Sequence, residues 1–256
     1  MQISLTKQDV YTKNKSFFKK YTKDYYRLVT CKTAIREKGF EEENRKEPRQ
    51  FLDISEEEHV QIKNSNNSRA RKKVFEYAIC NEFQYFITLT FNKNKIDRGN
   101  LENLILQIRK KMKNYKKQFG NFNYIMIPEL HSDRKNFHFH GLIYGIPEKH
   151  LNKHSKMPDG RIRYNWSYWE KHFGFTALIE LDDNKEKVSS YITKYMTKDQ
   201  ISLFGQDRYL VSRQLKKPQL IYSDANLTID NYDFENEHVK LKTYRSYNAM
   251  YTDILQ

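Results

Sequence analysis

The chain has little cysteine, no long apolar run, and too little acid to balance its base. Each shortage removes a class of protein. Cys31 and Cys80 are its only cysteines, far apart and in no metal-type pair, so the chain has no disulfide scaffold to read. No stretch approaches the roughly 20 apolar residues of a membrane span, and the first residues, Met1 to Asp9, lack the apolar core of a secretory signal. The expectation is a cytoplasmic protein with no membrane contact. No Gly-x-x-x-x-Gly-Lys-Ser/Thr segment occurs, which excludes a nucleotide-driven helicase module of that type. No internal repeat is present. Asp and Glu total 32 against 46 Lys and Arg, a net charge of +14. That surplus suits a polyanionic partner such as nucleic acid. An aromatic fraction of 14% adds side chains able to stack on unpaired bases.

What the chain does have is centred on Phe137-His138-Phe139-His140-Gly141-Leu142-Ile143. Alternate residues of a strand share a face, so His138 and His140 project together while Phe137, Phe139 and Ile143 point the other way. Two such imidazoles form half of a metal site. Alone, they would be two hydrogen-bonded histidines on a half-buried strand. The preceding segment 122–130 also reads as a strand, and the polar run Ser132 to Asn136 predicts a hairpin between the two. That hairpin brings both Glu129 and His131 beside the histidines.

The flanking segments follow clear periods. Phe86 to Phe91 is rich in β-branched and aromatic residues and reads as a strand, with Thr88 and Thr90 on one face. Ser68 is placed to cap a basic helix running from Arg69 to Ile79, after a solvated loop at Asn64 to Ser68. Leu101, Leu104, Ile105, Ile108, Met112, Tyr115 and Phe119 form the buried stripe of a second helix, whose outer face carries Lys110, Lys113 and Lys117. Residues 147–174 read as a polar excursion with His150 and His154 solvated, and 175–181 as another strand. A helix is expected over 185–199, where Tyr191 and Tyr195 lie four residues apart on one face with Lys194 and Lys198 in a row beside them. Residues 208–218 read as basic and strand-like; the last thirty residues show no motif. These patterns divide the chain into an N-terminal extension (1–65), a central domain (66–220) and a C-terminal tail (221–256).

A strand Phe-Ile-Thr-Leu-Thr-Phe, then His-Phe-His, then Tyr-x-x-Lys-Tyr-x-x-Lys, in that order, resembles the rolling-circle replication initiators of the HUH endonuclease superfamily. The doubled Tyr-x-x-Lys is similar to the two-tyrosine branch found in phages and plasmids. The resemblance spans about residues 68–220. It implies an α+β domain with helices packed on a central antiparallel sheet, flanked by poorly defined N- and C-terminal extensions. It implies Tyr191 and Tyr195 as nucleophiles assisted by Lys194 and Lys198. It further implies His138, His140 and, on the neighbouring strand, Glu129 as ligands of Mg²⁺ or Mn²⁺, with His131 the alternative third ligand. The implied activity is nicking one strand at an origin through a 5′-phosphotyrosine link, then rejoining the circle. Single-stranded or origin DNA is the implied substrate, host helicase and DNA polymerase the implied partners. Arg69, Arg71, Lys110, Lys113 and Lys117 are the expected DNA contacts. The alternatives are a transposase or mobilisation nuclease of the same superfamily, a hydrolytic nuclease, and a binding module without catalysis.

Overall fold

A computed structural model describes residues 11–12, 16–32, 35–36, 56–196, 208–222, 227 and 229–254 of the chain. In chain order its strands are β1 (Tyr11–Thr12), β2 (Ser16–Lys20), β3 (Tyr26–Cys31), β4 (Ile35–Arg36), β5 (Tyr85–Leu89), β6 (Asn123–Leu130), β7 (Phe137–Tyr144), β8 (Leu151–Lys156), β9 (Ile162–Trp166), β10 (Thr176–Glu180), β11 (Leu210–Val211), β12 (Gln219–Tyr222), β13 (Phe234–Glu235) and β14 (Val239–Tyr244). The helices are α1 (Glu56–Cys80), α2 (Leu101–Phe119), α3 (Ser167–His172), α4 (Lys185–Ile192) and α5 (Tyr247–Ile254). The protein is thus α+β with two large antiparallel sheets, as the sequence leads one to expect.

Two units divide the chain, Ser55–Lys216 and a second built from Met1–Ile54 with Lys217–Gln256. The boundaries read from the sequence, after 65 and after 220, fall inside α1 and inside β12.

The larger unit is a sheet in the order β11-β6-β7-β5-β10-β9-β8. Its strands alternate between two cores, as a period of two requires. Ile87, Leu89, Met126, Phe139 and Ile143 face α2. Ile125, Ile127 and Leu142 face the other way, with Ala70, Val74 and Ala78 of α1 and Ile192 of α4. α2 has the bounds its apolar stripe predicts; Asn100 caps it by accepting from the Asn103 amide, and Lys110, Lys113 and Lys117 lie on its exposed face. Each buried Leu or Ile of the stripe contributes roughly 1.5–3 kcal/mol of transfer free energy.

Gly141 is required where β7 passes between β5 and β6. It pairs with Ile87 on one side and Met126 on the other. A Cβ there would sit 2.3 Å from the Ile125 carbonyl oxygen and 2.4 Å from Met126 Sδ.

Several local expectations are corrected. α1 begins at Glu56 rather than at a Ser68 cap, and Asn64 to Ser68 lie within the helix instead of a loop. Asn67 is buried and Ala70, Val74 and Ala78 pack against α4 and the sheet, so tertiary burial overrides the poor helix propensity of Asn and Ser. The excursion at 147–174 contains the β8–β9 hairpin and α3, which widen the sheet. Trp166 and Trp169 are fully buried there, and His150 is half-buried with its Nδ1 2.8 Å from the Tyr115 hydroxyl, whereas His154 is exposed as read. The basic run 208–218 forms strand only at Leu210–Val211.

In the second unit the two ends of the chain build one sheet, in the order β12-β2-β3-β14-β13. Phe18, Tyr26, Leu28, Ile229 and Tyr244 form its core. Ser16 and Thr30, buried opposite each other, satisfy one another through a 3.1 Å hydroxyl–hydroxyl bond.

Candidate functional site

The site starts from strand register. In the β6–β7 hairpin Glu129 lies opposite His138 and Ile127 opposite His140. Side chains directly across an antiparallel pair share a face, so the carboxylate and both imidazoles emerge on the α1/α4 side. Glu129 Oε2 is 2.8 Å from His138 Nε2 and 2.7 Å from His140 Nε2. One ligand atom from each residue lies within 4.8 Å of the others, a grouping that could hold a metal ion. His131 stands outside this cluster; it is exposed at the turn, with its Nδ1 3.2 Å from Ser132 Oγ.

The donor set fits a divalent cation. An imidazole ligates only when neutral, and burial, followed by the neighbouring His138, pushes His140 down to about 4, against the opposing pull of Glu129. Thr88 lies opposite His140 on β5, and its hydroxyl is 3.1 Å from His140 Nδ1. With Nε2 committed to a cation, Nδ1 carries the proton and donates it to Thr88 Oγ1, fixing tautomer and ring orientation. Two imidazoles and one carboxylate suit Mg²⁺ or Mn²⁺ among other divalent ions.

The tyrosines meet this cluster from α4. Asn184 caps the helix by accepting from the Lys187 amide. Ile192 and Met196 anchor the segment in the core. The last turn tightens to a 3₁₀ form at Thr193–Tyr195, yet Tyr191 and Tyr195 still project together. Their hydroxyl oxygens are 2.8 Å apart. The Tyr195 ring stacks on His140 with centroids 4.0 Å apart, and Phe86 touches His140, Tyr191 and Tyr195 at 5.5–5.7 Å. Burial, then the bond to Tyr191 and the charge of Glu129, hold the Tyr195 phenol above the usual range. Tyr191 is 45% exposed. Lys194 Nζ lies 5.6 Å from the Tyr191 ring centroid, a cation–π contact. Lys198 lies outside the described residues.

The expected DNA contacts are scattered. Arg69 is exposed on α1, while Arg71 donates from Nε to the Met196 carbonyl at 2.9 Å and so ties α1 to the end of the tyrosine segment. Lys110, Lys113 and Lys117 belong to α2, which packs on the face opposite the cluster. Sequence reasoning missed Thr88 and Phe86 as parts of the site. The signal was present in their shared parity on β5; the register that puts Thr88 opposite His140 is non-local.

Fold and site together define an α+β protein whose central antiparallel sheet presents an imidazole–carboxylate cluster, able to hold a metal, beneath two touching phenols. Residues 84–200 match the family model for replication-associated proteins of the ORF2 type. The match runs from the start of β5 past both tyrosines and supports a replication-initiation role. No curated protein and no solved structure matches the chain. Among the described residues no helix is long and apolar enough to cross a membrane.

Proposed function

We propose that the chain is a rolling-circle replication initiator of the two-tyrosine HUH type, nicking and rejoining one DNA strand through a covalent tyrosyl link. One observation supports this reading most: the Tyr191 and Tyr195 hydroxyls lie 2.8 Å apart, with Tyr195 stacked on an imidazole of the Glu129–His138–His140 cluster.

Glu129, His138 and His140 would hold Mg²⁺ or Mn²⁺, which when bound supplies Lewis-acid stabilisation to the non-bridging oxygens of a scissile phosphate. Tyr191, the more open phenol, is the first nucleophile. A bond forms between its Oη and phosphorus as the bond from phosphorus to the 3′ oxygen breaks. The phenol proton is released to solvent and the departing 3′ oxygen takes one up, leaving a 5′-phosphotyrosine and a free 3′ hydroxyl. One phosphodiester replaces another, so the reverse step rejoins DNA without a nucleotide cofactor. Tyr195, kept protonated by its burial, donates its hydroxyl to the Tyr191 oxygen as charge develops there. Lys194 stabilises the same charge from above the ring. Tyr195 attacks the regenerated origin after one round of copying, and the released 3′ hydroxyl closes the circle at the first junction. A host helicase opens the duplex and a host polymerase extends the primer.

The test is a denaturing gel of the protein with fluorescent single-stranded oligonucleotides tiled over its own replicon, in Mn²⁺ or in EDTA. The expected result is a protease-sensitive shifted band present only with metal. Cleavage without an adduct, or no cleavage of any tile, would contradict the proposal.

A further inference from the structure

A groove separate from the tyrosine cluster lies along β11, the edge strand of the larger sheet. α1, packed on one face of that sheet, contributes Asn66, Arg69 and Lys73; α2, packed on the other, contributes Arg109. Arg208 and Tyr209, just before β11, complete the polar lining. Four of the nine lining residues are cationic and none is acidic. In a chain that carries 32 carboxylates, an acid-free groove where three elements converge is not an ordinary solvated face. On such a face opposite charges intersperse, as in the Lys187–Asp182 and Arg161–Asp159 pairs elsewhere on this unit. Arg208 adds a second, independent observation. Its Nη1 is buried with no hydrogen-bond partner among the described residues. A buried guanidinium nitrogen costs about 1–3 kcal/mol when left unbonded and is satisfied best by a charged oxygen.

We infer that this groove is a binding track for the phosphate backbone of DNA, distinct from the site at which a strand would be cut. Arg69 and Lys73 stand one turn apart on the exposed side of α1, a spacing of about 6 Å that matches successive phosphates of a strand. Arg109 faces them across the edge strand, so a backbone in the groove meets cations from both sides. Phosphates bound this way fix the strand's position without reading its sequence. The track takes phosphate from single-stranded or duplex DNA by the same chemistry.

The experiment measures binding of a fluorescent oligonucleotide by anisotropy over a range of salt, in EDTA so that no cutting intervenes. Single-stranded and hairpin forms are run in parallel. Arg69→Ala/Lys73→Ala, both exposed and outside the core, is compared with wild type and with Lys153→Ala/Lys156→Ala. The second pair removes the same charge from β8, the opposite edge strand. The groove pair is expected to lower affinity about tenfold near 0.1 M salt and to flatten the slope of log K against log salt by about 1.4 for a single strand. The β8 pair is expected to change the slope far less. A loss with either DNA form supports the track, and the form with the larger change of slope is its occupant. Wild-type affinity in the groove pair, or an equal loss in the β8 pair, would overturn the inference. Because the readout is metal-free binding, it stands or falls independently of whether a tyrosyl adduct is ever found.

Discussion

Thr88 is the residue on which the geometry of the cluster turns. Thr88→Val keeps the β-branched shape of β5 and deletes the acceptor for His140 Nδ1–H, so the ring is free to rotate and to change tautomer. The expected outcome is Mn²⁺ affinity ten- to a hundredfold weaker by titration calorimetry, with the fold intact by circular dichroism; unchanged affinity would show that the bond is incidental. The pairing of His138 with His140, and of Tyr191 with Tyr195, was legible from spacing, because strand and helix periods fix which neighbours share a face. Glu129 became a member of the cluster once the hairpin register placed it opposite His138. Thr88 was not legible as a partner: 52 positions separate it from His140, and no local pattern encodes which residue of β5 meets which residue of β7.

At the scale of elements, β7 and the tyrosine segment each depend on a neighbour. Gly141→Ala forces a methyl group against the Ile125 carbonyl, a backbone atom that cannot swing aside. It is expected to cost about 1–3 kcal/mol or more, seen as a lower urea midpoint with unchanged slope. Arg71 holds the end of the tyrosine segment by its carbonyl at Met196. Arg71→Ala is expected to slow adduct formation several-fold in single-turnover assays while costing about 1–2 kcal/mol of stability. An adduct rate equal to wild type would mean that the segment is held by its core residues alone. The α2 stripe announced its own limits in the sequence because it repeats over 19 residues and ends at a glycine. α1 did not: its polar stretch Asn64 to Ser68 satisfies a loop pattern, and only the packing of Ala70 and Val74 shows the helix continuing through it. β9 hid behind its polar context, although Ile162, Tyr164 and Trp166 alternate along it.

For the whole molecule, the sheet class could be read early and the joining of the chain's ends could not. Residues 239–244 alternate Val, Leu and Thr with Lys and Tyr, a strand signal. Their pairing with β3, more than 200 positions away, follows only from closing the chain. The larger unit carries a built-in alkaline limit. Tyr115 is fully buried between α2 and Trp166, and burial pushes its phenol up to about 12 from 10.0. Below pH 10 the group is protonated in both folded and unfolded chains, and its contribution is fully present. Above pH 10 the unfolded chain gives up the proton while the folded one keeps it, so stability falls as pH rises from about 10 to 12. Denaturant melts across that window are expected to show a steeper decline for wild type than for Tyr115→Phe; parallel declines would remove Tyr115 as a cause.

The central claim is a covalent bond to one of two tyrosines, and peptide mapping reads it directly. Trypsin cleaves after Lys187, Lys194 and Lys198, so Tyr191 and Tyr195 fall in separate peptides, 188–194 and 195–198. After reaction with a cleaved oligonucleotide in Mn²⁺ and nuclease trimming, mass spectrometry should find a nucleotide on the peptide containing Tyr191. In Tyr191→Phe it should move to the peptide containing Tyr195, and in the double Phe variant it should vanish. A nucleotide on any other peptide, or efficient cleavage by the double Phe variant, would contradict the account.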